Sequence, residues 1–131
     1  MAFILYSRDV ASNAPIEYIP CDDITVAVGD ALSVAAGGHA VKATGTTAPT
    51  HISVTSKTVT TDGDVIGAVR ITDGMVFETS LSEASSAIAV GAKYTIDATG
   101  SKITSTSTNG VCEVVSFDGK AAGDRALIRF K

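Results

Sequence analysis

The sequence has no tryptophan, only 5% aromatic residues, three prolines and two cysteines. The shortages of aromatics and cysteine weigh against particular classes of protein. Sugar sites lean on aromatic platforms, so with Tyr6, Tyr18 and Tyr94 as the only tyrosines a glycan-binding or adhesive module stays a competing reading with little support. Cys21 and Cys112 lie far apart, form no CxxC pair and have no histidine at ligand spacing. Neither a disulfide nor a zinc site recruiting His39 and His51 is demanded, and two semi-buried thiols are expected. Ten basic residues against 14 acidic ones give a net charge of −4, without a lysine or arginine run to neutralise phosphates, so no nucleic-acid partner is expected. The apolar stretch Phe3-Ile4-Leu5-Tyr6 is far shorter than the roughly 20 residues of a bilayer span, and no membrane partner is expected. Arg8 and Asp9 follow this stretch where a secretory signal would place basic residues before it, which predicts synthesis in the cytosol.

Catalytic patterns are also missing. There is no Gly-x-Ser-x-Gly, no spaced nucleophile and base, and no paired carboxylates that predict a cleft, so no catalytic residue, metal ligand or cofactor is assigned and the chain is not read as an enzyme. Asp22-Asp23 and Asp62-Gly63-Asp64 lack the ligand spacing of a calcium loop and read as turns. His39 after a glycine turn and His51 at a strand start read as surface or strand-end residues. Gly37-Gly38 lacks the lysine and the strand-to-helix context of a phosphate loop.

What is present is short runs of Val, Ile and Thr, punctuated by Gly, Asp or Asn, the pattern of an all-β domain with little helix. Ile24, Val26 and Val28 alternate onto one face, with a turn at Gly29-Asp30, and Leu32 and Val34 continue the pattern. Gly37-Gly38 predicts a hairpin after which Val41 returns to the core. Thr44 to Thr50 reads as a polar loop, 52–54 as a strand, and Val65 to Ile71 as a buried central strand. Strands follow at 75–79, 94–96, 102–104, 111–117 and 126–130, with a Ser-rich loop at 81–89.

An internal echo strengthens this reading. Val28-Gly29-Asp30-Ala31-Leu32-Ser33-Val34 is similar to Val90-Gly91-Ala92-Lys93-Tyr94-Thr95-Ile96 at an offset of 91 − 29 = 62 residues, placing Gly38 on Gly100, Val41 on Ile103 and Ile52 on Val114. After a short deletion Gly63-Asp64 answers to Gly123-Asp124, and Val69-Arg70-Ile71 to Ile128-Arg129-Phe130. Two pseudo-repeated β units are expected. A chain of 131 residues can bury a core, but its 45% hydrophobic content leans on alanine and it carries 12 glycines. Burial gains are small and backbone entropy losses large, which predicts homo-oligomerisation or association with a partner.

The order of motifs resembles that of small head decoration proteins of tailed bacteriophages. The resemblance runs from about Tyr18 to the C-terminus through Val28-Gly29-Asp30-Ala31-Leu32, Ala48-Pro49-Thr50-His51-Ile52, Asp62-Gly63-Asp64 leading into Val69-Arg70-Ile71, and Val76-Phe77-Glu78-Thr79. It closes with Asn109-Gly110-Val111-Cys112-Glu113-Val114-Val115, Gly123-Asp124 and Ile128-Arg129-Phe130, and departs at His51, where a tyrosine is expected. It implies a compact β-barrel or tulip-like domain on the outer capsid surface of a virion, made in the host bacterial cytoplasm. It further implies a trimer that stabilises the head by bridging major capsid protein subunits. Another phage component, of tail or connector, shares the composition. Residues 18–131 are expected to form a single β domain. Residues 1–17 are either a docking arm, with Phe3, Ile4, Leu5 and Tyr6 adding a strand to a partner's sheet, or the first strand of the domain.

Overall fold

The computed structural model describes residues 2–8, 14–61 and 63–131. These form twelve strands and no helix: β1 (Ile4–Ser7), β2 (Ile16–Pro20), β3 (Thr25–Val26), β4 (Ala31–Val34), β5 (Ala40–Lys42), β6 (His51–Ser53), β7 (Lys57–Thr58), β8 (Val65–Arg70), β9 (Val76–Ser80), β10 (Lys93–Tyr94), β11 (Cys112–Phe117) and β12 (Arg125–Phe130). One antiparallel sheet has the order β2-β8-β6-β4-β5, the other β1-β9-β12-β11-β10, and β3 and β7 form a small ribbon. The all-β class is realised as these two sheets: among the described residues no strand ladder joins β5 back to β2 or β10 back to β1, and the two ends of the first sheet meet through the single parallel bridge from Cys21, just after β2, to Ala40 of β5.

The two sheets repeat one another. β2, β8, β6 and β4 occupy the places of β9, β12, β11 and β10, and the registers agree residue by residue. Pro20 pairs with Val65 and Glu17 with Ala68; 60 residues on, Ser80 pairs with Arg125 and Phe77 with Ile128. The parallel bridge Cys21 to Ala40 recurs as Leu81 to Ile103. The same holds for the flanking bonds: the Cys21 and Leu81 amides donate to Asp64 and Asp124 at 2.8 and 3.0 Å, and the Gly63 and Gly123 amides donate back to Cys21 and Leu81. The pseudo-repeat therefore stands, with one adjustment. The pairs Ala31 with Ile52 and Lys93 with Glu113 set Ser53, not Ile52, on Val114, and Ala68-Val69-Arg70 on Ile128-Arg129-Phe130. A one-residue slip of a strand exchanges its faces, so this correction decides which side chains are equivalent.

The repeat explains the core. The first unit encloses a small cluster of Cys21, Val26, Leu32, Ala40, Val59, Ile66 and Ala68. At the matching positions the second unit carries Leu81, Ile88, Tyr94, Ile103, Ala126 and Ile128, within a larger cluster that also takes in Phe3, Ile52, Val69 and Phe77. Bulk is redistributed between layers, with Ile66 answered by Ala126 and Ala68 by Ile128, so the two units pack differently inside one topology.

Several expected segments shift. The strand foreseen over 24–28 shortens to Thr25–Val26, and only Val26 of its three apolar residues is buried, with Ile24 half-buried and Val28 exposed. In the hairpin at Gly37-Gly38 it is Ala40 that turns inward and Val41 that is half-buried. Val65–Arg70 is a central strand between β2 and β6, with Ile66 to Val69 buried, as expected. The segment 81–89 is a loop. Asp62 of the expected Asp-Gly-Asp turn lies outside the described residues.

Both cysteines are free and wholly buried rather than semi-buried. Burial pushes both thiols upward, Cys112 the more strongly, with Asp22 adding to the effect at Cys21. The thiolate is the reactive form. Neither cysteine is expected to react with an aromatic disulfide reagent at pH 8 until the chain unfolds; rapid labelling of either in the native state would contradict this packing.

Candidate docking surface

Residues 4–7 form an edge strand of the second sheet in this structure. β1 pairs with β9, Ile4 opposite Glu78 and Leu5 opposite Phe77, at the edge of the second sheet. The four candidate residues part company there. Phe3 is 1% exposed and stacks edge-on against Phe130 at 5.1 Å. Leu5 is half-buried, while Ile4 and Tyr6 are 50% and 58% exposed. Tyr6 lies under the Arg125 guanidinium at 5.6 Å, and Arg125 is itself paired with Glu78. Three partly exposed side chains thus belong to a strand anchored by a fourth that is buried.

The anchor depends on Gly29. Its amide donates to Ser53, and its carbonyl accepts from the Phe3 amide at 3.0 Å. A Cβ at Gly29 would lie 2.3 Å from Ala2 Cβ and 2.9 Å from the Phe3 carbonyl, in a backbone with φ of +90°. Only glycine allows the N-terminal segment to cross there.

Beside β1 runs an apolar groove of about 140 Å³, with Phe3, Ile52, Val69 and Phe77 among its lining and the exposed side chains of Ile4, Val28 and Val54 also facing it. Val54 and Ile16 converge over Gly67, whose missing side chain would meet both within 3.4 Å, and Tyr18 stands opposite Gly67 on β2. Exposed apolar side chains therefore extend from β1 toward β2. Clustered exposure of this kind marks an interaction surface more often than scattered apolar residues do. The outer edge of β1 has no strand partner among the described residues, leaving its backbone donors and acceptors open to an added strand. Sequence reading had flagged β1 but not Ile16, Val28 or Val54. Alternation alone had assigned Val28 to the buried face.

A larger cavity of about 290 Å³ lies by Asp73, Arg129 and Lys131. Arg129 and Lys131 both face one carboxylate, Glu113, at 3.2 and 3.9 Å.

At the end of the first sheet, Glu17 joins His51 and Arg70. Arg70 donates to both Glu17 oxygens at 2.8 and 3.0 Å, and His51 Nε2 lies 3.1 Å from Glu17 Oε1, while His51 Nδ1 meets Thr50 Oγ1 at 2.9 Å. His51 does begin a strand, but it is 2% exposed, which corrects the surface reading. A histidine with both ring nitrogens engaged is a satisfied buried polar group, as buried imidazoles require. His39 is held by Asp22 at 3.1 Å and partly exposed. Among the described residues no three His, Cys, Asp or Glu side chains cluster to hold a metal, and no helix is long and apolar enough to cross a membrane.

The Arg70 bonds, followed by the His51 bond, lower the Glu17 carboxyl from its ordinary 4.5 to about 2. A depressed folded-state value contributes stability above the unfolded pKa that is lost as pH falls through the folded one. The contribution of Glu17 is thus full above about pH 4.5 and disappears on the way down to about pH 2. Glu17→Gln is expected to flatten the stability profile in that window while changing little of its slope near pH 7, as read by urea denaturation at successive pH values. An unchanged acid limb would show that the ion pair does not form in solution.

Comparison of the chain with protein-family models, with curated proteins and with solved structures gave no match.

Proposed function

We propose that this chain is a viral structural protein, a decoration protein that binds the outer surface of a tailed-phage head and bridges major capsid protein subunits as a homo-trimer. The observation that carries the reading is the open edge of β1 beside exposed Ile4, Val28 and Val54. An extended segment of a capsid subunit can add to such an edge, its backbone supplying affinity and the apolar groove supplying selectivity. The motif order of decoration proteins supports the same reading, as do the all-β build and the acidic charge, which suits a surface that never touches the packaged DNA. A trimer would add avidity, since docking of one protomer holds the other two near their sites. Buried area across each joint would resist the outward pressure of packaged DNA.

The test is to add the purified protein to DNA-filled heads lacking it, image the particles and follow DNA release on heating. Regularly spaced protrusions and a higher release temperature are expected. Ile4→Lys together with Val54→Asp, at two exposed positions, should weaken head binding about tenfold or more, or about 1.4 kcal/mol, with an unchanged melting temperature. Heads that stay bare at saturating protein would sink the reading, and glycan-array binding without head binding would favour the adhesive alternative.

A further inference from the structure

The two units meet head to tail within the chain, and their joint shows what contact between copies would require. On the second unit's side, Phe77 and Phe130 stand 5.3 Å apart, with Phe3 against Phe130. Phe77 shares one core with Ile52 and Val69 of the first unit, and Phe130 packs against that core. The strand registers identify the equivalents of these four residues at the two outward ends. Phe77 and Phe130 correspond to Glu17 and Arg70, while Ile52 and Val69 correspond to Glu113 and Arg129. Each apolar pair of the joint is thus replaced, on the face of each unit turned away from the joint, by an arginine and a glutamate. Arg70 Nε lies 2.8 Å from Glu17, and Arg129 Nε lies 3.2 Å from Glu113, an ion pair by distance rather than an aligned hydrogen bond. The same exchange of chemistry stands at both ends.

We infer that these two Arg–Glu pairs cap a latent interface between copies of this chain, whose occupant, once uncapped, is a second copy docked as the second unit docks on the first. Stacking the capped ends would take four charges out of water, a cost that pairing in the interior offsets poorly. The apolar pairs of the internal joint carry no such cost. A head-to-tail contact need not close on itself and can run on into fibres. Stacked repeat proteins meet the same hazard with polar outer faces on their terminal units. The inference concerns end-to-end stacking and is independent of the proposed head-binding surface, which lies along β1 and the groove beside it.

The test uses two variants of the full chain, Glu17→Phe/Arg70→Phe at one end and Glu113→Ile/Arg129→Val at the other, in sedimentation velocity. Each alone is expected to keep the mass of the wild type. Their mixture should form a heavier species, with affinity at least about tenfold above any self-association of either variant. Glu17→Arg/Arg70→Glu, which keeps a pair, should not associate in the mixture. If a bulky variant loses its β spectrum, Glu17→Gln/Arg70→Met and Glu113→Gln/Arg129→Met remove charge with little change in size and should give the same mixed species at higher concentration. A mixture that sediments as the sum of its parts, or variants that self-associate as strongly alone as together, would overturn the inference.

Discussion

Phe3→Ala is expected to cost about 3–5 kcal/mol of stability, the range for emptying a buried phenylalanine site. The ring is 1% exposed and contacts Phe130, and it sits in the one cluster that joins the second sheet to Ile52 and Val69 of the first. Its loss therefore opens a cavity at the joint between units as well as removing apolar area. For a domain of this size the melting temperature should fall by roughly 10 °C or more. The comparison that gives the result meaning is Tyr6→Ala, which removes a side chain 58% exposed and should cost little beyond its contact with Arg125. Deletion of residues 2–6 should then behave like Phe3→Ala and melt early. If the deletion melts with the wild type and only head binding is lost, β1 is a detachable arm and its pairing with β9 contributes nothing to the fold.

The distinction between those outcomes was not legible in the sequence. Phe3-Ile4-Leu5-Tyr6 reads as one apolar run, and nothing local says that its partner strand begins at Val76 or that Phe3 is fully buried and Leu5 half-buried while Ile4 and Tyr6 stay exposed. Strand partners at such separation are chosen by tertiary packing, which local pattern does not encode. Most strands were legible because Val, Ile and Thr alternate between turn residues. His51-Ile52-Ser53 is the instructive exception: all three are buried, since one face meets the first unit's sheet interior and the other meets Phe77. Such a strand has no polar face to reveal its register, which is why the repeat was matched one residue out at Ile52. The turn pair Gly63-Asp64 with Gly123-Asp124 was placed correctly because backbone geometry, not side-chain alternation, constrains it. The candidate surface was half legible for a related reason. Val28 and Val54 look like core residues in any alternation, and only the short span of β3 and the end of β6 after Ser53 leave them in solvent.

Ile128→Ala is the second large effect, expected at about 2–5 kcal/mol, and it separates the two units energetically. Ile128 is fully buried in the larger cluster, while its structural counterpart in the first unit is already an alanine, Ala68. The substitution thus gives the second unit the small residue that the first carries at this site, yet it should not be tolerated. In the first unit the same strand carries Ile66 two residues earlier in the same cluster, whereas the second unit has Ala126 at that place. The double exchange Ala126→Ile/Ile128→Ala, which copies the first unit's arrangement, should recover part of the loss, because neighbouring substitutions that share a cavity are not additive. A recovery below about 0.5 kcal/mol, the usual error of additivity, would mean that the two cores are not interchangeable layers of one design. The same contrast predicts the order of opening. The first unit's own cluster has no aromatic ring and relies on Cys21, Ala40 and Ala68. The second unit's cluster holds Phe3, Phe77 and Tyr94. Regions with less buried apolar contact open at lower free energy. Amides of β4 and β5 should therefore exchange with solvent deuterium before those of β9 and β12, and Ile128→Ala should bring the two sets closer together.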